Sequence, residues 1–299
     1  MTDSMNEPNA PARGPADAPG MPATGSERPP GPVNPDASTN GAGGAATSAR
    51  WHLASHLRLW IFAVVGLALD LGTKQLAFSR LSLDPHDPAG VIIPNVMSFR
   101  RSLNPGALFG LGKGLVPVFI AASILALGFV LYLFIHSSRD RRSLHIALGL
   151  VLAGALGNLY DRTFVIADVV RVRMVNPNTG KTVTGYHAGS IIEEGPRGIR
   201  IVEGLLDPSQ GADPQVAQHA ATIPPRLQPE LRRQGVVRDF IKMEPRITLP
   251  KVGTIHIWPW VFNLADSWLV IGVGLLLLNF WWDRRAEQAA AAAPNAPSP

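Results

Sequence analysis

The sequence predicts a mainly α membrane protein, with four transmembrane helices, extracytoplasmic β-rich loops and disordered termini. Three observations predict it. Large apolar residues gather in four blocks, about 57–78, 115–135, 144–160 and 261–282, each near the roughly 20 residues that a membrane-crossing helix needs. Short-loop arginines sit at one set of block ends: Arg50 and Arg58, then Arg139, Arg141 and Arg142, then Arg284 and Arg285. Polar and ionisable clusters sit at the opposite ends.

The composition narrows the classes. Hydrophobic residues make up 46% of the 299, yet mean hydropathy is only +0.13, because the apolar residues are concentrated in the blocks. The net charge of +5 invites a nucleic-acid reading. The basic residues, however, flank apolar blocks or lie in one long loop, with no aromatic-interleaved basic stripe and no finger spacing, so no nucleic-acid partner is expected. The chain has no cysteine, which excludes disulfides, thiolate zinc sites and a cysteine nucleophile. His145, His187, His219 and His256 lack ligand spacing, so neither metal nor cofactor is expected.

Residues 1–50 are rich in Pro, Gly, Ala, Asn and Ser. They carry too little apolar surface to offset ordering entropy and predict a disordered tail. No basic segment followed by an apolar core marks a secretory signal there. The first span follows and carries Asp70 and Lys74, an i,i+4 pair that can neutralise itself on one helix face. An outer loop, 79–113, contains a β-like run from Val91 to Phe99 and a turn at Asn104-Pro105-Gly106. Spans two and three complete a membrane domain over 51–162. The third ends in Gly154-Ala155-Leu156-Gly157-Asn158-Leu159-Tyr160-Asp161-Arg162, where Asn158, Asp161 and Arg162 share a face.

The stretch from Thr163 to Trp260 is too long for a simple connection. Residues 163–234 are expected to form one long extracytoplasmic segment. It has strand candidates at 169–175, 182–184 and 198–202, a turn at 176–181, and an irregular part from Asp207 to Glu230. Segment 235–285 holds the β-like run Gly235 to Ile241 and the fourth span. An Ala/Pro tail, 286–299, is expected to be disordered.

Asn263 and Asp266 open the fourth span at i,i+3, on one face. A carboxylate in a membrane helix costs about 2.5–3.5 kcal/mol at the bilayer centre, which favours a functional reading. A simpler role is open too: an acidic residue in a helix's first turn favours the macrodipole. The arginine distribution puts both termini in the cytoplasm. Asp70 with Lys74, the Asn104 turn, Asn158 with Asp161, and Asn263 with Asp266 then all meet at the outer face. Trp258, Trp260 and Trp268 fit an interfacial aromatic belt.

Taken together, these segments resemble the lipoprotein signal peptidase, or signal peptidase II, family. Asp70-Leu71-Gly72-Thr73-Lys74 is similar to the family's D-x-x-T-K box. Asn104-Pro105-Gly106-Ala107-Leu108-Phe109 resembles N-T-G-A-A-F, departing at Pro105 and Leu108. Gly154 to Arg162 resembles G-A-x-G-N-x-x-D-R, and Phe262 to Ser267 resembles F-N-x-A-D-S. Val236-Val237-Arg238-Asp239-Phe240-Ile241 is similar to V-V-D-F-I with Arg238 inserted. The boxes appear in family order between about 57 and 285.

The resemblance implies a multi-pass aspartic endopeptidase of the bacterial cytoplasmic (inner) membrane. It would remove signal peptides from diacylglyceryl-modified prolipoproteins at the outer face. Its partners would be those substrates and membrane lipids, the enzyme being monomeric. The catalytic pair carried over is Asp239 and Asp266. Asn104, Gly106, Asn158, Asp161, Arg162 and Asn263 support the site or bind substrate, and Asp70 with Lys74 form a structural pair. In the family the V-V-D-F-I box follows G-N-x-x-D-R closely, whereas here roughly 70 residues intervene. On the residues alone, Asp168 and Asp161 therefore compete with Asp239 as partner of Asp266. Two rival classes stand beside this reading. A small proton-coupled transporter would also use intramembrane Asp and Lys, although the halves show no inverted repeat. A non-catalytic scaffold would use the long loop for binding.

Overall fold

The computed structural model describes residues 48–106, 116–175, 180, 182–249, 253–256, 258 and 260–292. The expected N-terminal tail, apart from its last residues, and the turn at 176–181, apart from Gly180, lie outside the described residues. Four long helices carry the apolar blocks: α1 (Leu53–Arg80), α2 (Val116–Ile135), α3 (Arg142–Phe164) and α4 (Leu264–Ala292). All four are long and apolar enough to cross a membrane. Their burial differs: 72% of the apolar window of α3 is buried, against 28%, 11% and 17% for α1, α2 and α4. The third helix is thus the centre of the bundle, and the others show apolar side chains outward, as lipid-facing helices do.

Small residues set this arrangement. A Cβ at Gly154 of α3 would lie 2.4 Å from the Ala265 carbonyl oxygen, and one at Gly157 would lie 2.2 Å from Asp70 Oδ2. Without side chains at these two points, α1 and α4 reach the α3 backbone. Leu59, Ala63, Leu144, Leu148, Val151 and Leu276 fill the cluster below. Trp268, placed in an interfacial belt by sequence, donates its Nε1–H to the Gly66 carbonyl at 3.1 Å and pins α4 to α1.

The strands are β1 (Val91–Ile93), β2 (Met97–Asn104), β3 (Ile166–Val175), β4 (Thr182–Gly195), β5 (Gly198–Glu203), β6 (Ala221–Ile223), β7 (Glu230–Gly235), β8 (Val237–Met243), β9 (Arg246–Leu249), β10 (Gly253–His256) and β11 (Val261–Phe262). They form an antiparallel sheet in the order β1-β2-β8-β11, a second sheet in the order β6-β5-β4-β3-β7, and the hairpin β9-β10. The second sheet is formed by the long stretch between the third and fourth helices that was expected from sequence to be an insertion. Its first and last strands lie side by side, with Ile166 opposite Gly235, and the Val236 N–H donates to the Val165 carbonyl at 3.0 Å. The chain therefore leaves the bundle after α3 and returns to nearly the same point. An excursion whose ends meet lengthens the sequence at modest entropic cost and leaves the surrounding geometry intact. Leu103 of β2 packs with Ala167, Val169, Ala188 and Val236, and Phe78 of α1 joins them, so the inserted sheet docks on the first sheet and on α1.

Two segments are more regular than expected. Within 207–230, Asp207 and Asp213 each precede a proline and each accept a backbone N–H two residues on, at 3.0 and 2.8 Å. Aspartate caps with proline in the first turn start short helices at Pro208–Ala212 and Pro214–Ala217. The helix α4 also continues past Arg285 to Ala292, because alanine is the best helix former and the run contains no glycine or proline.

Candidate active site

The site is built on the first turn of α4. Asn263 precedes the helix and accepts from the Asp266 N–H through Oδ1 at 3.1 Å, while Asp266 Oδ2 accepts from the Asn263 N–H at 3.2 Å. This reciprocal pair is a capping box, satisfying two otherwise unpaired donors. The N–H of Ala265 goes to Asp70 Oδ1 of α1 at 2.8 Å. The simpler role considered for Asp266 is thus real, but it occupies only one of its oxygens. Oδ1 of Asp266 accepts from Asn158 Nδ2 at 2.8 Å.

Asp239 reaches the same place from β8. Its Oδ1 accepts from Asn263 Nδ2 at 2.7 Å and its Oδ2 from Asn104 Nδ2 at 2.9 Å. Asn263 Nδ2 also donates to Asn158 Oδ1 at 3.1 Å. Two carboxyls therefore sit at the two ends of an Asn158–Asn263 amide pair. Each amide is held in one orientation by another contact. Lys74 Nζ donates to Asn158 Oδ1 at 3.2 Å, which forces the Asn158 NH₂ toward Asp266. The Gly106 N–H donates to Asn104 Oδ1 at 2.9 Å, which turns the Asn104 NH₂ toward Asp239. The capping bond to Asn263 Oδ1 does the same for Asn263.

A second network lies beneath. Lys74, fully buried, is 2.8 Å from Asp70 Oδ2 and 3.4 Å from Asp161 Oδ2. Asp161 Oδ2 accepts from the Arg238 N–H at 2.9 Å, and its Oδ1 from the Arg238 guanidinium at 2.7 and 3.2 Å. Arg238 Nη1 also donates to Gln75 Oε1 at 3.2 Å. Arg238, which sequence showed only as an extra residue in a box, is the clamp between β8 and α3. Its neighbour Asp239 is thereby held at the site although 77 positions separate Arg238 from Asp161. Arg238 and Gln75 were not singled out as site residues. Their only signal was that each adjoins a residue that was.

Arg162 donates to the Gly106 carbonyl and lies 5.1 Å over the Phe119 ring. It anchors the Asn104 turn and forms no ion pair among the described residues. Asp168 is elsewhere: it belongs to β3, where its carboxylate accepts from the Ile191 N–H at 3.3 Å. It makes no bond to the amide pair.

Asp239 and Asp266 both line a cleft of about 380 Å³, together with Asn104, Trp260 and Phe262. The far wall comes from the inserted sheet through Tyr186, Glu203 and Gly204. Burial raises the Asp239 carboxyl well above the ordinary carboxylate range, and the neighbouring Asp266 charge raises it further, against the opposing amides of Asn104 and Asn263. Among the described residues, no group of three or more His, Asp or Glu side chains is placed to hold a metal ion. Such a cleft can hold a peptide bond beside one proton-holding and one proton-accepting carboxyl.

Comparison with known proteins agrees with the resemblance noted above. The family model described as Signal peptidase (SPase) II matches residues 62–282. The lipoprotein signal peptidase of Streptomyces griseus is 40% identical over 143 residues, 44% of this chain and 68% of that protein. The lipoprotein signal peptidase of Desulfitobacterium hafniense is 25% identical over 230 residues, covering 77% of this chain and 97% of that protein. A bacterial membrane enzyme solved by the in meso method aligns at a TM-score of 0.43 with 20% identity, over 80% of this chain and 93% of that one. The chain belongs to the signal peptidase II family.

Proposed function

We propose that this protein is an aspartic endopeptidase that removes signal peptides from lipid-modified prolipoproteins, with Asp239 and Asp266 as its catalytic pair. The observation that carries the reading is the arrangement of these two carboxyls at opposite ends of the Asn158–Asn263 pair, facing one cleft. Curated relatives named lipoprotein signal peptidase supply the substrate class.

The chemistry follows from two nearby carboxyls that share one proton. The ionised carboxyl takes a proton from water, and the resulting oxygen nucleophile attacks the carbonyl carbon of the scissile bond. The protonated carboxyl gives its proton to the carbonyl oxygen, forming a neutral tetrahedral diol. The C–N bond then breaks as the now-protonated carboxyl gives its proton to the leaving amine and the ionised one takes a proton from a diol hydroxyl, restoring the shared proton. The pair titrates as a unit, so acid and base roles belong to both residues. The side-chain NH₂ groups of Asn104, Asn158 and Asn263 keep the carboxyls aligned, and Asp161, Arg162 and Gly106 hold the elements that carry them. Asp70 and Lys74 act structurally.

In this reading the enzyme is a monomer in the bacterial cytoplasmic membrane, with both termini inside and the cleft at the outer face. Residues 163–234 form an extracytoplasmic module, and 235–285 carry both catalytic residues. Acyl chains of the substrate stay in the bilayer while the peptide enters the cleft. The test is processing of a prolipoprotein by the purified enzyme in lipid vesicles. Asp266→Asn and Asp239→Asn should each abolish cleavage while the protein still inserts. Full activity in Asp239→Asn with loss in Asp168→Asn would overturn the pair, and full activity in Asp266→Asn would overturn the protease reading.

A further inference from the structure

Arg101 lines the same cleft as Asp239, and nothing in the mechanism above uses it. The ladder between β2 and β8 is in register up to Phe99 and again from Ser102, with an irregularity between them that leaves Arg100 and Arg101 without cross-strand partners. A bulge of this kind bends a strand and re-aims its side chains. Here both arginines line the cleft.

Arg101 is held in place by the insertion. Gly204, at φ +75°, sits against it closely enough that a Cβ there would lie 3.0 Å from Arg101 Cβ. The Arg101 Nε–H is buried and has no hydrogen-bond partner among the described residues. No described carboxylate forms an ion pair with its guanidinium. Glu203, on the facing wall, is engaged by His187. Burial alone pulls the Arg101 guanidinium below its ordinary value. A half-buried cation with a buried, idle donor is costly unless something arrives to complete it.

We propose that Arg101, clamped between β2 and the inserted sheet, is an anion subsite of the substrate cleft that takes an acidic side chain of the substrate polypeptide. The inference rests on the protease reading above. A neutral carbonyl would satisfy the N–H but leave the charge uncompensated, whereas a carboxylate does both and matches the guanidinium fork. Arg100 places a second positive charge on the same wall. A phospholipid phosphate is the other available anion at a membrane surface. The polypeptide is favoured because Arg101 shares its strand with Asn104 and its cleft with Asp239, where the peptide must lie. The insertion thereby gains a role: it turns a strand bulge into a specificity pocket.

The full chain in vesicles of zwitterionic lipid is given lipid-modified prolipoprotein peptides carrying Asp, Asn or Lys, scanned through the positions flanking the scissile bond. At one position the Asp peptide should show a KM roughly tenfold below the Asn peptide, with Lys worse than both. Arg101→Gln should erase that discrimination and Arg101→Lys should restore part of it. Gly204→Ala, which shifts Arg101 without removing charge, should weaken it. Thermal melting of each variant separates these effects from misfolding. Equal discrimination in the wild type and Arg101→Gln, or no preference at any position in the wild type, overturns the proposal. So does an Arg101→Gln defect that is the same for all three peptides and grows with added phosphatidylglycerol, which would make a lipid phosphate the anion. A wild type that cuts none of the peptides would instead overturn the protease reading on which the proposal rests.

Discussion

Two pairs of carboxylates lie within one polar network, and their surroundings differ. Asp70 and Asp161 are each met by a cation: Lys74 lies against both, and Arg238 binds Asp161 through three N–H groups. Among the described residues, the hydrogen bonds to Asp239 and Asp266 come from neutral amides alone, those of Asn104, Asn158, Asn263 and the Asn263 backbone. A cation pairs with a carboxylate and holds it in one place. An amide NH₂ aligns a carboxyl but lets a proton come and go. This difference supports the proposal that the second pair does the acid–base work while the first ties helices together.

The sharpest way to break this contrast is to remove one acid from the second pair and the shared cation from the first. Asp266→Asn keeps the shape of the site and leaves no second carboxyl, so cleavage should fall by about 10⁴-fold, read as prolipoprotein turnover, with little change in melting temperature. Lys74→Met should act first on stability. It leaves Asp70 and Asp161 buried with one fewer cation, and unfolding in detergent should become easier by about 3–5 kcal/mol. An active, stable Lys74→Met variant would erase the distinction. Asn104→Ala should cost roughly 10²-fold in kcat while stability changes by about 1 kcal/mol, because it touches the second pair only through an amide.

The proton on Asp239 offers a finer test. Burial and the Asp266 charge both raise its carboxyl. It should stay protonated as pH climbs past the usual value near 3.9, and activity should fall on the alkaline side once that proton is lost. Asp266→Asn removes the neighbouring charge, so the protonated-carboxyl infrared band of Asp239 should disappear at lower pH than in the wild type. A shift upward would contradict the coupling. The smallest effect is expected at Asp168→Asn: it loses part of one bond, 3.3 Å long, inside the inserted sheet. Turnover should be unchanged and stability lowered by under about 1 kcal/mol.

Much of this was legible in the chain. Apolar blocks of membrane-spanning length marked the four helices, since a bilayer imposes a length that composition reveals. The i,i+4 pair Asp70 and Lys74 and the Asn263–Asp266 spacing were readable because helical periodicity fixes which residues share a face. The short turns after Asp207 and Asp213 carried Asp-Pro signals that the region's polar composition obscured. Arg238 was legible only as a departure from a box. Its role depends on meeting Asp161, and no local pattern encodes a contact so distant in sequence.

The identity of the groups was thus set by the sequence alone: four spans, three asparagines, the acids and the family to which they belong. Which acid meets the amide pair opposite Asp266 was decided by tertiary structure. β3 and β7 pair side by side, and Val236 bonds back to Val165, so the excursion closes on itself and β8 starts where α3 ended. Arg238 then locks onto Asp161, and Asp239 lands on the amide pair while Asp168 departs with the inserted sheet. Sequence separation measures the length of a loop, whereas chemistry depends on where its two ends are held.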